Sequence, residues 1–335
     1  MTRRPRCGLA MAEYLPDRLF SPADRARMEA LSEVAPVVLT DFDGPEARRV
    51  LGDLEVLITG WEAPVIDEAV LDRAPRLRAV LHAAGTVKHH VRPVCWERGL
   101  AVTTAADANA LPVAEFTLAW ILLAGKGVMT LKERYARERT AIPLHRDHPG
   151  IGNVGRHVGI IGASRIGRRV IELLRPHDVL VSVHDPFLDP ADAAALGVRP
   201  LPLDELLDQC SVVSVHAPVT DRTRGMLDRR RLGLLRDGTT LINTARGALI
   251  DQEALTEELV SGRLHAVLDV TDPEVLPADS PLYKLPNVVL TPHLAGSSGN
   301  ELTRLGGSAV DELERLVHGR PFRSPVAAPD LDHTA

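Results

Sequence analysis

The sequence predicts an α/β protein: a doubly wound parallel sheet forms one domain, and a second, smaller α/β domain accompanies it. Three observations lead there. From Val158 onward, short runs of Val, Ile and Leu alternate with helical patterns, the signature of strands buried on both faces of a parallel sheet. A glycine-containing turn, Gly162-Ala163-Ser164-Arg165-Ile166-Gly167, separates the first such run from an apolar-faced helix. The N-terminal part alternates strands and helices on its own account, so it forms a unit of its own.

In that N-terminal part a buried first strand is expected around Cys7–Met11. The preceding Arg3, Arg4 and Arg6 have the basic character of a leader, but Glu13 breaks the apolar stretch that a leader requires. Strands follow at Val37–Thr40, Val56–Thr59, Ala79–His82 and Ala101–Thr103, with helices at Pro22–Leu31 and Val65–Arg73. Ser21 ahead of Pro22 suits an N-cap followed by a first-turn proline. From Pro112 to Arg139 the pattern is helical, with Ala114, Leu118, Ile121 and Leu122 on one face and Pro112 in the first turn. Ile142–Gly155 reads as a solvated connector, whose His145 and His148 lack the spacing of a metal site.

Regular alternation then sets in. Strand Val158–Gly162 precedes helix Ile166–Leu174 and strand Leu180–His184. Strand Val212–His216, helix Leu227–Leu234, strand Thr240–Asn243 and helix Gln252–Ser261 follow, then strands Ala266–Leu268 and Val288–Thr291. A last helix, Glu301–Val317, starts after a Gly/Ser hinge at Gly296–Gly299 and is expected to cross back to the first domain. Residues 1–108 and 298–335 would thus make one discontinuous domain, and 109–297 the other.

Composition narrows the functions. The chain has 335 residues, about two domains by length, and its 45% apolar content suffices for real cores. A net charge of −6 repels phosphate backbones, so nucleic acid is not an expected partner. Three scattered cysteines, Cys7, Cys95 and Cys210, suit a reducing compartment and support neither a disulfide framework nor a zinc site. The most apolar uncharged run, Phe116–Gly125, falls short of the ~18 residues that span a bilayer. A cytoplasmic protein with no metal and no membrane partner is expected.

Gly162 and Gly167 have the outer spacing of a dinucleotide-binding fingerprint, between a buried strand and a helix whose N-terminus can face a pyrophosphate. Ser164 stands where a middle glycine is usual; its Cβ narrows the approach to the phosphate, while its hydroxyl can offer a hydrogen bond in return. Asp185 ends the next strand at about the 20-residue distance where a carboxylate accepts from the ribose hydroxyls. Pro186 and Phe187 follow it, with no Arg for a 2′-phosphate. The expected cofactor is therefore NAD.

Three segments follow successive strands: Asn243-Thr244-Ala245-Arg246-Gly247, Leu268-Asp269-Val270-Thr271-Asp272-Pro273-Glu274, and Thr291-Pro292-His293-Leu294-Ala295-Gly296. Each lies at the carboxyl end of its strand, where open α/β sheets bind ligands, so an Arg, a Glu and a His converge near the cofactor. On these motifs the sequence resembles the D-isomer-specific 2-hydroxyacid dehydrogenase family, which includes phosphoglycerate, glycerate and D-lactate dehydrogenases. The resemblance covers nearly the whole chain and is strongest from Asn153 to Gly296; Ala108-Asn109-Ala110 with Val113-Ala114-Glu115 also matches.

The resemblance implies a Rossmann NAD domain, a flavodoxin-like substrate domain and a homodimer, whose contact would use the apolar helix Pro112–Lys126. His293 would exchange a proton with the substrate oxygen at carbon 2, and Glu274 would orient its ring and favour its charged form. Arg246 would bind the substrate carboxylate. Asp269 would contact the nicotinamide carboxamide. The Ala83-Ala84-Gly85-Thr86 loop would offer main-chain amides to the carboxylate, placing Ala84, Gly85 and Thr86 at the substrate. Thr244, Ala245, His216, Ala217, Pro218 and Gly296 would line the cofactor. The implied reaction is reversible, NAD-dependent reduction of a small 2-oxo acid to its D-2-hydroxy acid.

Alternatives remain. The formate dehydrogenase branch carries Gln at the Glu274 position, so Glu274 argues against it. Phosphite dehydrogenase keeps the Arg/Glu/His set but has a lysine inside the substrate loop, where this chain has His82-Ala83-Ala84-Gly85 and a displaced Lys88. An NAD-sensing module akin to the corepressors of this fold is compatible with an intact triad. Lys88, His89 and His90 either touch a substrate tail or begin a solvated helix; Trp61 either walls the pocket or packs a core. The short stretch after His293 implies that the regulatory domain of long phosphoglycerate dehydrogenases is absent.

Overall fold

A computed structural model describes residues 3–328. The chain divides into two compact units, Met1–Asn109 with Ser297–Ala335, and Ala110–Gly296.

The first unit is a five-stranded parallel sheet of β1 (Arg6–Ala10), β2 (Glu33–Leu39), β3 (Val56–Thr59), β4 (Ala79–His82) and β5 (Ala101–Thr104). Their spatial order, β2-β1-β3-β4-β5, is the flavodoxin-like one. β3 and β4 are buried at every position, and they read as apolar up to their last residues, Thr59 and His82. Helix Pro22–Leu31 starts on a capping box: Asp24 N–H donates to Ser21 Oγ (3.2 Å) and Ser21 N–H to Asp24 Oδ2 (3.2 Å). Helix Leu302–Val317 returns to this unit and buries Leu305, Ala309, Val310 and Leu313 with Leu19, Ile58 and Leu81. Its buried Glu312 is satisfied by the main-chain N–H groups of Arg323 (2.9 Å) and Ser324 (2.8 Å).

The second unit is a seven-stranded parallel sheet: β6 (Arg156–Ile161), β7 (Val179–His184), β8 (Arg199–Pro200), β9 (Val212–Val215), β10 (Thr240–Asn243), β11 (His265–Leu268) and β12 (Val288–Leu290). The spatial order is β12-β11-β10-β9-β6-β7-β8. The chain runs outward from β6 to β8, then restarts beside β6 at β9 and runs to the other edge, so the topological switch point lies between β6 and β9. One face of the sheet is covered by a cluster including Leu206, Leu207, Leu241 and Leu255, the other by one including Ile121, Val170, Ile171 and Val267. Each such fully buried side chain stabilises the unit by roughly 1.5–3 kcal/mol.

Three expectations are corrected. Pro112 is not a first-turn residue: the helix already begins at Ala106 and runs to Gly125 with Pro112 inside it. Residues 106–110, three of them alanine, are good enough helix formers to carry the helix across the one hydrogen bond that proline lacks. The helical stretch also breaks at Gly127 (φ 62°), and a second helix spans Val128–Glu138. Lastly, Ala106–Gly125 is long and apolar enough to cross a membrane by length and composition, although Phe116–Gly125 alone is not. Its Ala114, Thr117 and Ile121 are buried within the second unit. The helices Pro45–Val50, Pro190–Leu196 and Leu203–Gln209 went unread; at 6, 7 and 7 residues they are too short to show a period.

Candidate active site

The turns that leave the carboxyl ends of β6, β7, β9, β10, β11 and β12 carry the residues singled out in the second unit. At the switch point Gly162 has φ 98°, and a Cβ there would stand 2.7 Å from the Ala217 main-chain nitrogen. A Cβ on Gly167 would stand 2.0 Å from the Gly162 carbonyl oxygen. Only glycines let the start of helix Arg165–Leu174 close against β6 and the β9 turn. Ser164 is the N-cap of that helix, its Oγ accepting from Gly167 N–H at 3.3 Å. The hydroxyl proton remains for an outside acceptor. Arg165 is exposed at the helix start, and Ile166 is half-buried behind it.

Asp185 follows β7 and accepts from Ala163 N–H (2.7 Å) and Phe187 N–H (2.8 Å). Those bonds orient the carboxylate beside the glycine turn and leave lone pairs for further donors. His216 follows β9, is 4% exposed, and pairs its Nε2 with Ser214 Oγ at 2.9 Å. Its Nδ1 is buried with no partner among the described residues. Burial pushes the ring down to about 3, so it is neutral at pH 7. Ala217 is buried and Pro218 half-buried. The glycine cradle, the capped helix start, the oriented carboxylate and this unsatisfied nitrogen suit a dinucleotide.

After β10, buried Asn243 folds the next turn: its Oδ1 accepts from Ala245 N–H (3.0 Å) and its Nδ2 donates to the Arg246 carbonyl (2.9 Å). Arg246 is half-buried and donates from Nη1 to the Ala245 carbonyl (2.6 Å), which leaves most of its donor fork unused by that contact. Thr244 is buried, its Oγ1 3.2 Å from Thr117 Oγ1. A Cβ on Gly247 would lie 2.0 Å from the Thr271 carbonyl carbon, so the Arg246 turn rests directly on the turn after β11.

That next turn supplies Asp269 and Glu274. Asp269 is 2% exposed and its carboxylate takes three bonds from the β12 turn, with a lone pair left on Oδ2: Oδ1 accepts from Thr291 Oγ1 (2.6 Å) and Leu294 N–H (2.8 Å), Oδ2 from Ala295 N–H (2.9 Å). Its main-chain carbonyl accepts from His293 N–H (3.0 Å). His293 sits at φ 54°, a left-handed conformation that costs a non-glycine residue about 1–2 kcal/mol. The four bonds to Asp269 hold it there. The result is a 2.6 Å contact between His293 Nδ1 and Glu274 Oε1, with both side chains about half exposed. Nδ1 is thereby committed to the carboxylate, and Nε2 is the nitrogen left to meet a substrate. Gly296 is half-buried at the end of the turn. Asn243 and Thr291 were missed as positioning residues; each precedes a motif residue, which was the available signal.

In the first unit, Ala83–Thr86 follows β4 at the carboxyl end of that sheet. Among the described residues no atom accepts from the main-chain N–H groups of Ala84, Gly85 or Thr86. Trp61 is 40% exposed after β3, so it does not pack a core. His90 fits neither expectation for it: it is buried, 5% exposed, whereas His89 is exposed.

Comparison with known proteins fits this arrangement. Residues 118–295 match the family model for the NAD-binding domain of D-isomer specific 2-hydroxyacid dehydrogenases. The chain belongs to the D-isomer specific 2-hydroxyacid dehydrogenase family. It is 32% identical over 281 residues to D-3-phosphoglycerate dehydrogenase of Mycobacterium bovis, covering 83% of this chain and 52% of the relative. It is 28% identical over 292 residues to mitochondrial formate dehydrogenase of Solanum tuberosum, covering 85% of this chain and 76% of the relative. The crystal structure of a protein from Thermus thermophilus superposes with a TM-score of 0.73 at 33% identity, covering 96% of this chain and 100% of that one. The chain spans about half the length of the phosphoglycerate dehydrogenases it matches.

Proposed function

We propose that this protein is an NAD-dependent oxidoreductase that reversibly reduces a small 2-oxo acid to its D-2-hydroxy acid. The observation that carries the reading is the Glu274–His293 contact of 2.6 Å, made between the turns of β11 and β12 and next to the Arg246 turn of β10.

NAD supplies and takes up the hydride when bound. Gly162, Ser164, Arg165, Ile166 and Gly167 receive its pyrophosphate, and Asp185 its adenine ribose. His216, Ala217, Pro218, Thr244, Ala245 and Gly296 line it, and Asp269 reaches the carboxamide. Arg246 grips the substrate carboxylate through its guanidinium fork and draws charge from the neighbouring carbonyl. His293 Nε2 gives that carbonyl oxygen a proton during reduction and removes it during oxidation. Glu274 holds Nδ1–H, which fixes the ring's orientation and stabilises the imidazolium. Ala84, Gly85 and Thr86 offer unused main-chain amides to the carboxylate. The first unit thus acts as the substrate domain and the second as the NAD domain. We further infer a cytoplasmic homodimer that pairs through helix Ala106–Gly125.

The test is NADH oxidation with glyoxylate, hydroxypyruvate, pyruvate and phenylpyruvate, with NADPH run alongside. Turnover with at least one acid and preference for NADH are expected. His293→Ala should lower kcat by about 10²–10⁴-fold and leave NADH affinity within about twofold, because proton transfer and cofactor binding are separate roles. Tight NADH binding without turnover on any acid would make the chain a sensor instead, and an undiminished His293→Ala would remove His293 from the mechanism.

A further inference from the structure

The first unit contains a buried polar cluster that the reaction above does not use. Thr59 ends β3 and His82 ends β4, and they are direct neighbours across the parallel ladder. His90 joins them from the segment that follows the Ala83–Thr86 turn. Thr59 is wholly buried, His82 4% and His90 5% exposed. Thr59 Oγ1 lies 2.9 Å from His82 Nδ1 and 3.2 Å from His90 Nε2, and the two rings pack with centroids 4.6 Å apart. His82 leads directly into the turn, whose Ala83 N–H donates to the Thr59 carbonyl (2.8 Å).

One hydroxyl carries one proton, so Thr59 donates to one ring and accepts from the other. The Thr59 hydroxyl therefore bridges the two rings that flank the turn, His82 before it and His90 after it. Burial keeps both rings neutral, with His82 well below its ordinary value and His90 at about 4, lowered further by the nearby His89.

Resting on the proposed 2-oxo acid reduction, we propose that Thr59, His82 and His90 are positioning residues that fix the Ala84–Thr86 turn with its unused amides facing the substrate carboxylate. The turn has no regular structure of its own; Ala105 N–H, directly after β5, also donates to the Ala84 carbonyl (3.0 Å), and Lys88 N–H to Thr86 Oγ1 (3.4 Å). The Thr59 hydroxyl ties His90, beyond the far end of the turn, to the ends of β3 and β4. Three neutral polar groups buried together repay their desolvation only when all are satisfied, so the cluster has one arrangement and the turn inherits it.

Thr59→Val keeps the shape and removes the hydroxyl; Thr59→Ser restores it. Two measurements are made on each full-length variant: steady-state constants for NADH and for the best 2-oxo acid, and 15N relaxation of the Ala84, Gly85 and Thr86 amides. In Thr59→Val the KM for the oxo acid is expected to rise about tenfold, with the KM for NADH unchanged. The three order parameters should fall from about 0.85 towards 0.6, and Thr59→Ser should recover both properties. Order parameters unchanged in Thr59→Val would overturn the proposal whatever the kinetics. Equal losses for NADH and oxo acid would also overturn it, as general damage. A wild-type protein that reduces no oxo acid would defeat the functional reading, and the relaxation data would still decide whether the cluster holds the turn.

Discussion

At Asp269 a single buried carboxylate accepts from one hydroxyl and two main-chain N–H groups of the β12 turn, and its carbonyl takes the N–H of His293. The left-handed backbone of His293 therefore depends on a residue that the family resemblance assigns to the cofactor. Both roles fit together only if both carboxylate oxygens accept. Asp269→Asn replaces one acceptor oxygen by a donor that must face another donor, at a cost of about 1–3 kcal/mol. The expected outcome is a fall in kcat/KM of about ten- to a hundredfold, with a fold still cooperative by thermal unfolding. Unchanged kinetics would mean that the turn stands without it. Asp269 was legible in the sequence as a motif residue, but its hold on His293 was not, because that requires knowing that β11 and β12 are neighbours.

Individual elements show where local pattern suffices and where it fails. Strand β10 has the bounds its apolar run indicates, Thr240–Asn243, and helix Pro22–Leu31 likewise, because burial on both faces and a full capping box are local signals. Ser164 was legible as a missing glycine, yet its use as an N-cap shows why serine serves: the helix needs a cap at that place. His90 was not legible. Its partner Thr59 is far off in sequence, and the segment after β4 must fold back onto the end of β3 to bring the two together. The buried rings also set a pH dependence. His90 at about 4 and His216 at about 3 bind their protons less tightly folded than unfolded, where the value is near 6.5. Their contribution is complete above pH 6.5 and is lost as pH falls towards 4 and 3. Urea unfolding should show stability dropping by a few kcal/mol between pH 6.5 and 4, and His90→Gln should flatten that drop. A stability that is flat or rises over this range would contradict the neutral, buried assignment.

The whole molecule joins two parallel sheets of different order, β2-β1-β3-β4-β5 and β12-β11-β10-β9-β6-β7-β8. In the second, the reversal between β6 and β9 puts the glycine turn at the switch point and Arg246, Glu274 and His293 after neighbouring strands, so the proposed cofactor and catalytic residues share the carboxyl edge of one sheet. That edge was legible because each strand end carries its own motif. The substrate's side chain was not, because the turns of the first unit, with Trp61 exposed after β3, follow no chemical pattern. The proposed chemistry is hydride transfer to carbon 2 of an oxo acid. Its most direct test follows deuterium from NADH labelled at carbon 4 of the nicotinamide, using in turn each of the two labelled epimers. One epimer is expected to deliver deuterium to carbon 2 of a D-2-hydroxy acid, and His293→Ala is expected to form almost none. Product of L configuration, or no deuterium in product from either epimer while NADH is bound, would contradict that chemistry.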